Sequence, residues 1–284
     1  MLIQKNTKHM SLRGRRPSRM LRAGLLLLIS MLALQGCIQP SSGGESTDTA
    51  GETDKTFLYE TMNYTYKTDE TGFLQYIVTG MDAQYLVLAN KTSPLGADYI
   101  PDTVRLTCAT NPYNQRDETL NSRAANALYA MLAEMAADGI TDIFVTSSYR
   151  SYDRQQSLFY GYIDEEMSKN PALTREQAEQ IVLTYSAYPG TSEHQTGLCV
   201  DFGTNAEYNE VGEVLTEYFE ETAAFRWLIE NCYRFGFILR YPEDKVSVTG
   251  YTYEPWHYRF VGREAATEIM LRGLCMEEFL NELN

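Results

Sequence analysis

The stretch TSEHQTGLCVDFG, residues 191–203, decides how the rest of the sequence is interpreted. It places His194 and Asp201 seven positions apart, in a chain with only three histidines. Residues 197–203 are predicted as a strand, so Asp201 projects from one face, and Gly197 lets neighbouring backbone approach closely. His194 lies in the loop before the strand and can bend back to the same point. The stretch therefore predicts a polar site built around this strand.

A second histidine context is YEPWHYRF, residues 253–260, where Glu254 precedes His257 by three positions. A hydrolytic zinc site needs three nitrogen or carboxylate ligands, an open position for water and a nearby carboxylate that is not a ligand. His194, Asp201 and His257 supply the ligands, and Glu254 supplies the other carboxylate. Each histidine alone is more simply a structural residue, but the joint pattern favours a metal site. Ideal strand alternation would separate Glu254 from His257, so a local twist or bulge is required.

The N-terminus has the composition of a targeting segment. Residues 1–36 contain seven Lys or Arg and no acid, and the apolar run LLLLISMLAL is too short for a comfortable membrane span. The junction LQGC resembles the lipobox of bacterial lipoproteins, which implies a signal peptide over 1–37 and lipidation of Cys37. An ordinary signal peptide or an uncleaved anchor is the alternative. In each case we expect the rest of the chain to be extracytoplasmic, and a lipidated Cys37 would anchor it to the cell membrane.

Three further segments follow the leader. Residues 38–55 are rich in Ser, Thr, Gly and acids, which predicts a flexible tether. Residues 56–83 alternate roughly and are rich in Tyr and Thr, which predicts a small strand segment. The main domain is predicted over 84–284.

Without the leader the chain has 17 basic and 38 acidic residues, a net charge of −21 (17 minus 38). An acidic surface gains no counterion release from a polyanion, so nucleic acid is excluded as a partner.

Strands and helices are mixed in the main domain without a regular βαβ rhythm, which predicts an α+β fold. We expect strands at 85–91, 140–148, 197–203, 237–242 and 254–262, and helices at 118–139, 153–168, 174–186, 223–236 and 263–283.

Four cysteines remain after Cys37, namely Cys108, Cys199, Cys232 and Cys275. They allow three disulfide pairings, and none has the CxxC spacing of a metal knuckle. Free and mostly buried thiols are the favoured interpretation, with a Cys199–Cys232 bridge as the alternative.

Together these motifs resemble those of a known family. SEHQTGLCVDF is similar to the S-x-H-x-x-G-x-A-x-D motif, and EPWHYRF to the E-x-W-H motif, of the VanY-type zinc D-alanyl-D-alanine carboxypeptidases, which are grouped with lysostaphin-like endopeptidases and the hedgehog domain. SSYRSYDRQ resembles the S-G-Y-R-S segment of the same family. The likeness covers about residues 84–275 and implies a small antiparallel sheet with flanking helices that carries a zinc site.

The resemblance implies a role for each matching residue. His194, Asp201 and His257 match the zinc ligands, and Glu254 matches the general base. Arg150 matches the residue that stabilises the oxyanion. Ser192 matches a contact to the terminal carboxylate of the substrate. Tyr149 and Trp256 are further candidates for substrate contact, although Trp256 is equally suited to core packing.

Two positions depart from the family motif. Ser148 replaces a usual glycine, a mild change to a turn. Cys199 replaces a usual alanine on the strand face of Asp201, where a thiolate would add a fourth ligand and favour a structural zinc. A small buried residue is the interpretation that we adopt for Cys199.

The sequence leaves several functions open. The first is a carboxypeptidase that removes the terminal D-alanine of peptidoglycan stem peptides. An L,D-carboxypeptidase acting on tetrapeptide stems shares the same motifs. A non-catalytic zinc module that binds the cell wall is a third possibility, and an endopeptidase that cleaves cross-bridges is a fourth. Glu254 and Arg150 argue against the non-catalytic module, because a purely structural zinc needs neither a base nor an oxyanion partner.

Overall fold

The computed structural model describes residues 64–68, 80–114 and 116–283. The predictions for 1–37, including Cys37, and for 38–55 lie outside these residues, as does most of 56–83. The strands are β1 (Val104–Arg105), β2 (Thr119–Leu120), β3 (Phe144–Ser147), β4 (Cys199–Gly203), β5 (Phe237–Leu239) and β6 (His257–Phe260). The helices are α1 (Ser122–Ala137), α2 (Tyr152–Lys169), α3 (Arg175–Val182), α4 (Asn205–Val211), α5 (Ala223–Asn231), α6 (Val246–Thr249), α7 (Arg263–Arg272) and α8 (Met276–Leu283).

A four-stranded antiparallel sheet in the order β3-β4-β6-β5 organises the domain, which confirms the predicted α+β class. Strand β4 occupies an interior position. Its Asp201 lies opposite Ser147 of β3 on one side and His257 of β6 on the other. The two histidine contexts, which are far apart in sequence, are therefore brought together by the register of one strand pair.

The two faces of this sheet differ in chemistry because successive side chains of a strand point to opposite faces. Val200, Phe202, Tyr258 and Phe260 belong to the main apolar core, with residues of α1 and α5. Each such buried apolar side chain contributes about 1.5–3 kcal/mol. The alternate residues of β4 and β6 are Cys199, Asp201, His257 and Arg259, all buried.

Helix α1 follows the prediction closely and covers the apolar face. The Asn121 side chain accepts hydrogen bonds from the backbone of Arg123 and Ala124, which supplies the N-cap. The chain leaves the helix through Gly139 at φ 84°, a conformation that favours glycine. The predicted start at 118 is too early, because Thr119–Leu120 pairs with β1 instead.

Helices α2 and α3 form a hairpin with an apolar cluster of its own. Phe159 and Ile163 of α2 pack against Ala178 and Val182 of α3. Thr174 closes the N-terminus of α3 in a capping box with Gln177. The hairpin therefore has its own packing, separate from the main core.

The strand predicted at 85–91 is wrong. The backbone there forms a 3-10 helix at Ala83–Tyr85 and an isolated bridge between Asn90 and Ser93. The carbonyl oxygens of Tyr85 and Val87 accept hydrogen bonds from Arg259 at 2.9 and 2.8 Å. A side chain from a distant strand thus satisfies backbone groups that the sequence suggested would pair in a sheet.

The four cysteines after Cys37 are free thiols, as predicted, and Cys199 and Cys232 form no bridge. Among the described residues, no helix combines the length and the apolar character required to cross a membrane.

Candidate metal centre and active-site cleft

Two imidazoles and one carboxylate converge on the polar face of the sheet. His194 Nε2 lies 3.1 Å from Asp201 Oδ2, and His257 Nδ1 lies 3.0 Å from Asp201 Oδ1. All three residues are at most 5% exposed. The structure therefore brings together the three residues predicted as metal ligands.

A one-turn 3-10 helix, Glu193–Thr196, explains how His194 reaches Asp201. Gly197 ends this turn in the left-handed region at φ 66°, and the chain then reverses into β4. A side chain at Gly197 would also approach Pro101 Cγ to 3.0 Å. Glycine is needed here both for its backbone conformation and for the close packing.

A turn places Glu254 beside His257, which meets the requirement for a local deviation from strand geometry. The amide of His257 donates to the carbonyl of Glu254 at 3.2 Å, and β6 begins only at His257. Pro255 within the turn favours an extended conformation for Glu254. As a result Glu254 Oε2 lies 3.5 Å from His257 Nδ1.

The other nitrogen of each imidazole faces a hydrogen-bond acceptor. His194 Nδ1 is 2.6 Å from the carbonyl oxygen of Ser148, and His257 Nε2 is 3.1 Å from Glu193 Oε2. An acceptor at one nitrogen favours the proton there and leaves the lone pair on the other nitrogen. With a metal bound, His194 Nε2 and His257 Nδ1 would then offer their lone pairs beside Asp201.

The electrostatics of this cluster favour positive charge. Burial alone would lower the pKa of His194, but the charge of Asp201 and the nearby Cys199 raise it to about 10. Burial would raise the pKa of Asp201, yet the two histidines hold it well below its usual range. Burial also raises the pKa of Glu254, with the attraction of His257 opposing this shift. Positive charge placed between these groups is stabilised.

The donor set suits a divalent transition metal. Asp201 Oδ1 is buried and has no hydrogen-bond partner, although His257 Nδ1 is only 3.0 Å away. A buried carboxylate oxygen without a hydrogen-bond partner is costly unless a cation occupies the space beside it. Imidazole and carboxylate are suitable ligands for zinc. The residues therefore fit Zn²⁺ on grounds of chemistry and geometry.

Cys199 lies in the same cluster. It is completely buried, and its sulfur lies with ring nitrogens of His194 and His257 in a group whose atoms are all within 4.8 Å of one another. Cys199 is a small buried residue, as predicted, but its thiol lies beside the metal centre rather than in the apolar core.

The cluster opens into a cleft of about 580 Å³. Arg150, Ser192, Glu254 and Trp256 line this cleft together with the three converging residues. Tyr162 of α2 and residues 183–187, which follow α3, also line the cleft. Other polar and aromatic residues of the lining include Lys91, Tyr185, Tyr241 and Tyr251.

Arg150 is held at the edge of the cleft by side-chain hydrogen bonds. It donates to Gln155 Oε1 at 2.8 Å and to Ser147 Oγ at 3.1 Å. Gln155 in turn donates to the carbonyl of Ala187 at 2.6 Å. Because Ser147 lies opposite Asp201 in the sheet, these bonds fix the guanidinium close to the metal centre.

The two aromatic candidates differ in position. Trp256 lines the cleft and also packs against the main core, so both predicted interpretations describe it. Tyr149 is not among the residues that line the cleft, and its contact with the substrate stays a prediction. Its backbone amide donates to the carbonyl oxygen of Thr119 at 3.0 Å.

Sequence reasoning missed Glu193, Arg240 and Arg259, which are at most 1% exposed. Both arginines donate to Glu193 Oε1, at 2.8 and 2.6 Å. A signal was present, because each arginine interrupts an apolar strand pattern, in FILRYP and WHYRFV. Buried arginines require a carboxylate partner, and the acid next to His194 is the one that the fold supplies.

An α+β fold with a buried His, Asp and His cluster at the base of a cleft defines the class of zinc metallopeptidases. The family model described as VanY, D-alanyl-D-alanine carboxypeptidase, matches residues 117–263, more than half of the chain. The chain belongs to this family.

Three similar proteins support the assignment. A D-alanyl-D-alanine carboxypeptidase from Enterococcus faecalis is 40% identical over 196 residues, covering 69% of this chain and 65% of that protein. A mutant of the vancomycin-resistance D,D-pentapeptidase VanY in complex with Zn(II) is 39% identical, with a TM-score of 0.55, over 70% of this chain and 99% of the other. The LD-carboxypeptidase LdcB is 33% identical, with a TM-score of 0.59, over 73% of this chain and 95% of the LdcB chain.

These comparisons confirm the family resemblance, the fold class and the zinc metallopeptidase class predicted from the sequence. The chain spans 65% of the length of the Enterococcus faecalis relative, which is less than two thirds.

Proposed function

We propose that this protein is a zinc-dependent D,D-carboxypeptidase that removes the C-terminal D-alanine from peptidoglycan stem peptides. The observation that carries the proposal is the convergence of His194 Nε2 and His257 Nδ1 on the Asp201 carboxylate, at 3.1 and 3.0 Å, beside Glu254 in an open cleft. The name of the Enterococcus faecalis relative supports the choice of substrate.

His194, Asp201 and His257 would hold the metal. Together they supply two neutral nitrogens and one carboxylate, which leaves a position open for water, as catalytic zinc sites require. Bound zinc supplies Lewis acidity, which polarises a scissile carbonyl and brings the pKa of a water molecule to about 7.

Glu254 is placed to act as the general base. Its carboxylate is 3.5 Å from His257 Nδ1, so it reaches the space in front of the ligand cluster and lines the cleft. From this position Glu254 accepts the proton of the attacking water and transfers it to the leaving amine. Its larger distance from the cluster distinguishes it from the three proposed ligands.

Arg150 and Ser192 occupy the same cleft as Glu254. We assign Arg150 to the oxyanion of the tetrahedral intermediate, because a fixed cation stabilises charge that develops during the reaction. Its bonds to Gln155 and Ser147 keep the guanidinium oriented before substrate binds. Ser192 is assigned to the terminal carboxylate of the substrate.

An L,D-carboxypeptidase is the second candidate. The similarity to LdcB, with the highest TM-score of the structures described above, favours it. The same metal centre serves either reaction, so the distinction depends on how the cleft recognises the penultimate residue.

Mass spectrometry of muropeptides incubated with the zinc-loaded protein tests both proposals. Loss of one alanine from pentapeptides alone supports the D,D-carboxypeptidase, and loss from tetrapeptides supports the L,D-enzyme. Glu254→Gln is the matched control, and we expect it to keep zinc while turnover falls by about 10²–10⁴-fold. Unchanged muropeptides in the presence of bound zinc would contradict both, and normal turnover of Glu254→Gln would remove Glu254 as the base.

The location of the protein is a separate proposal. The basic and then apolar composition of residues 1–36, followed by Gly36-Cys37, supports a lipoprotein anchored to the membrane through Cys37 on the extracytoplasmic side. Cys37→Ala is expected to release the protein from the membrane fraction in cell fractionation. Continued retention of this variant would indicate an uncleaved helix instead.

A further inference from the structure

A buried charge network lies behind the metal centre. Glu193 Oε1 accepts from Arg240 Nε at 2.8 Å and from Arg259 at 2.6 Å. Arg240 also makes a bidentate pair with Glu277 of helix α8, at 2.9 and 2.7 Å. Asn90 donates to the same carboxylate at 3.0 Å. The network thus connects the C-terminal helix to the residue that precedes His194.

The charges of this network cancel without any contribution from histidine. Two guanidinium groups face two carboxylates, so the network itself requires no positive charge on His257. Burial makes this balance important, because an uncompensated ion in such a place is strongly destabilising. A neutral imidazole is also the form that a metal ligand requires.

The two oxygens of Glu193 have different partners. Oε1 receives both arginines, and Oε2 lies 3.1 Å from His257 Nε2. Because Arg240 and Arg259 hold Oε1 from two directions, the carboxylate cannot rotate freely. Oε2 is therefore a fixed acceptor for the Nε2 proton of His257, which leaves Nδ1 unprotonated and directed at Asp201.

We propose that Glu193 is a positioning residue that fixes the tautomer and the ring orientation of His257, and thereby sets the affinity of the site for zinc. The inference rests on the proposed role of His257 as a zinc ligand. His194 obtains the same control from the neutral carbonyl of Ser148. The two ligands are therefore oriented through opposite ring nitrogens, one by a backbone dipole and one by a buried ion.

Glu193→Gln provides the sharpest test because an amide has one acceptor and one donor side. The two arginines will bind the amide oxygen, so the NH₂ group will face His257 Nε2. The imidazole must then accept at Nε2 and carry its proton on Nδ1, the nitrogen that faces the metal. A change of one atom is expected to reverse the tautomer while the volume stays nearly constant.

The direct readout is long-range ¹H–¹⁵N NMR of His257 in the zinc-loaded protein, which is practical with three histidines in the chain. We expect zinc at Nδ1 and a hydrogen-bonded Nε2–H in the unsubstituted protein, and loss of that hydrogen bond in Glu193→Gln. Competition with a chromophoric chelator should show zinc affinity reduced by about 10–100-fold in the variant.

Glu277→Gln is the matched control. It removes the same charge from the same network but leaves Glu193 in contact with His257, so zinc affinity should stay within about threefold and the tautomer should not change. An equal loss of affinity in both variants would overturn the proposal, because the effect would then belong to the network as a whole.

Two further outcomes are decisive. Coordination of zinc through Nε2 of His257 in the unsubstituted protein overturns the proposal even if Glu193→Gln fails to fold. If the unsubstituted protein binds no zinc, the proposed function is wrong, and the role of Glu193 that rests on it is wrong as well. Normal zinc binding that is indifferent to Glu193→Gln, by contrast, removes only the positioning role.

Discussion

The two faces of the central sheet are built from alternate residues of the same strands, yet they differ in almost every physical respect. One face buries Val200, Phe202, Tyr258 and Phe260 in the main core. The other buries Cys199, Asp201, His257 and Arg259. The apolar face gains free energy directly from burial. The polar face is stable only because each charged group finds a partner, so its cost is offset by ion pairs and, in the proposed function, by a metal.

The difference between the two faces of the sheet predicts which substitutions affect function and which affect stability. Changes on the polar face should alter metal binding and turnover in a protein that remains folded. Changes on the apolar face should lower the free energy of unfolding and leave the metal centre of the folded molecules intact.

The largest effect is expected for His257→Ala. Removal of one of three ligands leaves two, which is below the number that zinc sites in proteins use. We expect the zinc content of the purified protein, measured by elemental analysis, to fall from about one to below about 0.1 per chain, with activity reduced by at least about 10³-fold. Full zinc content in this variant would exclude His257 as a ligand.

The largest stability effect is expected for Phe202→Ala, next to Asp201 but on the opposite face. Phe202 is completely buried and its ring centroid lies 5.6 Å from that of Tyr258. The cavity should lower the free energy of unfolding by about 3–5 kcal/mol in urea denaturation. Zinc content per folded chain should be unchanged below the transition. A loss of zinc equal to that of His257→Ala would show that the two faces are not separable.

The division of the sheet into a polar and an apolar face could be predicted in part from the sequence. His194, Asp201, Glu254 and His257 stand in two short motifs, and local spacing is sufficient to select them. The main helices follow from their apolar periodicity and caps, as α1 shows with Asn121 and the glycine after it.

The parts of the fold and of the site that the sequence did not predict depend on contacts between residues that are distant in sequence. The strand expected at 85–91 does not form, because Arg259, 174 residues beyond Tyr85, binds its carbonyl groups. The pairing of Glu193 with Arg240 and Arg259 depends likewise on strand register and on the 3-10 turn, neither of which has a local pattern.

A smaller effect is expected for Glu277→Gln, which tests how the charge network contributes to stability. Burial alone would raise the pKa of Glu277, but the hydrogen bonds and charge of Arg240 hold it below its usual value. A group with a lowered folded pKa stabilises the protein above its unfolded pKa, and this stability is lost as pH falls through the folded value. At neutral pH the variant should lose about 1–3 kcal/mol of unfolding free energy.

The pH profile distinguishes this explanation from a simple packing defect. Urea denaturation from pH 7 down to the acid limit should show a smaller loss of stability below about pH 4.5 in Glu277→Gln than in the unsubstituted protein. Parallel profiles would mean that Glu277 does not contribute to the acid sensitivity of the fold.

The smallest effect is expected for Cys199→Ala, which places at this position the residue of the family motif. The nitrogen and carboxylate ligands remain, so zinc content should stay at about one per chain and turnover within about threefold. A soft thiol beside two imidazoles favours cadmium over zinc, so the variant should lose at least about tenfold in cadmium affinity relative to zinc. Cys232→Ala is the matched control, because that thiol is equally buried but lies in the apolar core. If cadmium affinity is the same in both variants, the sulfur of Cys199 does not take part in metal binding, and the polar face depends on nitrogen and oxygen ligands alone.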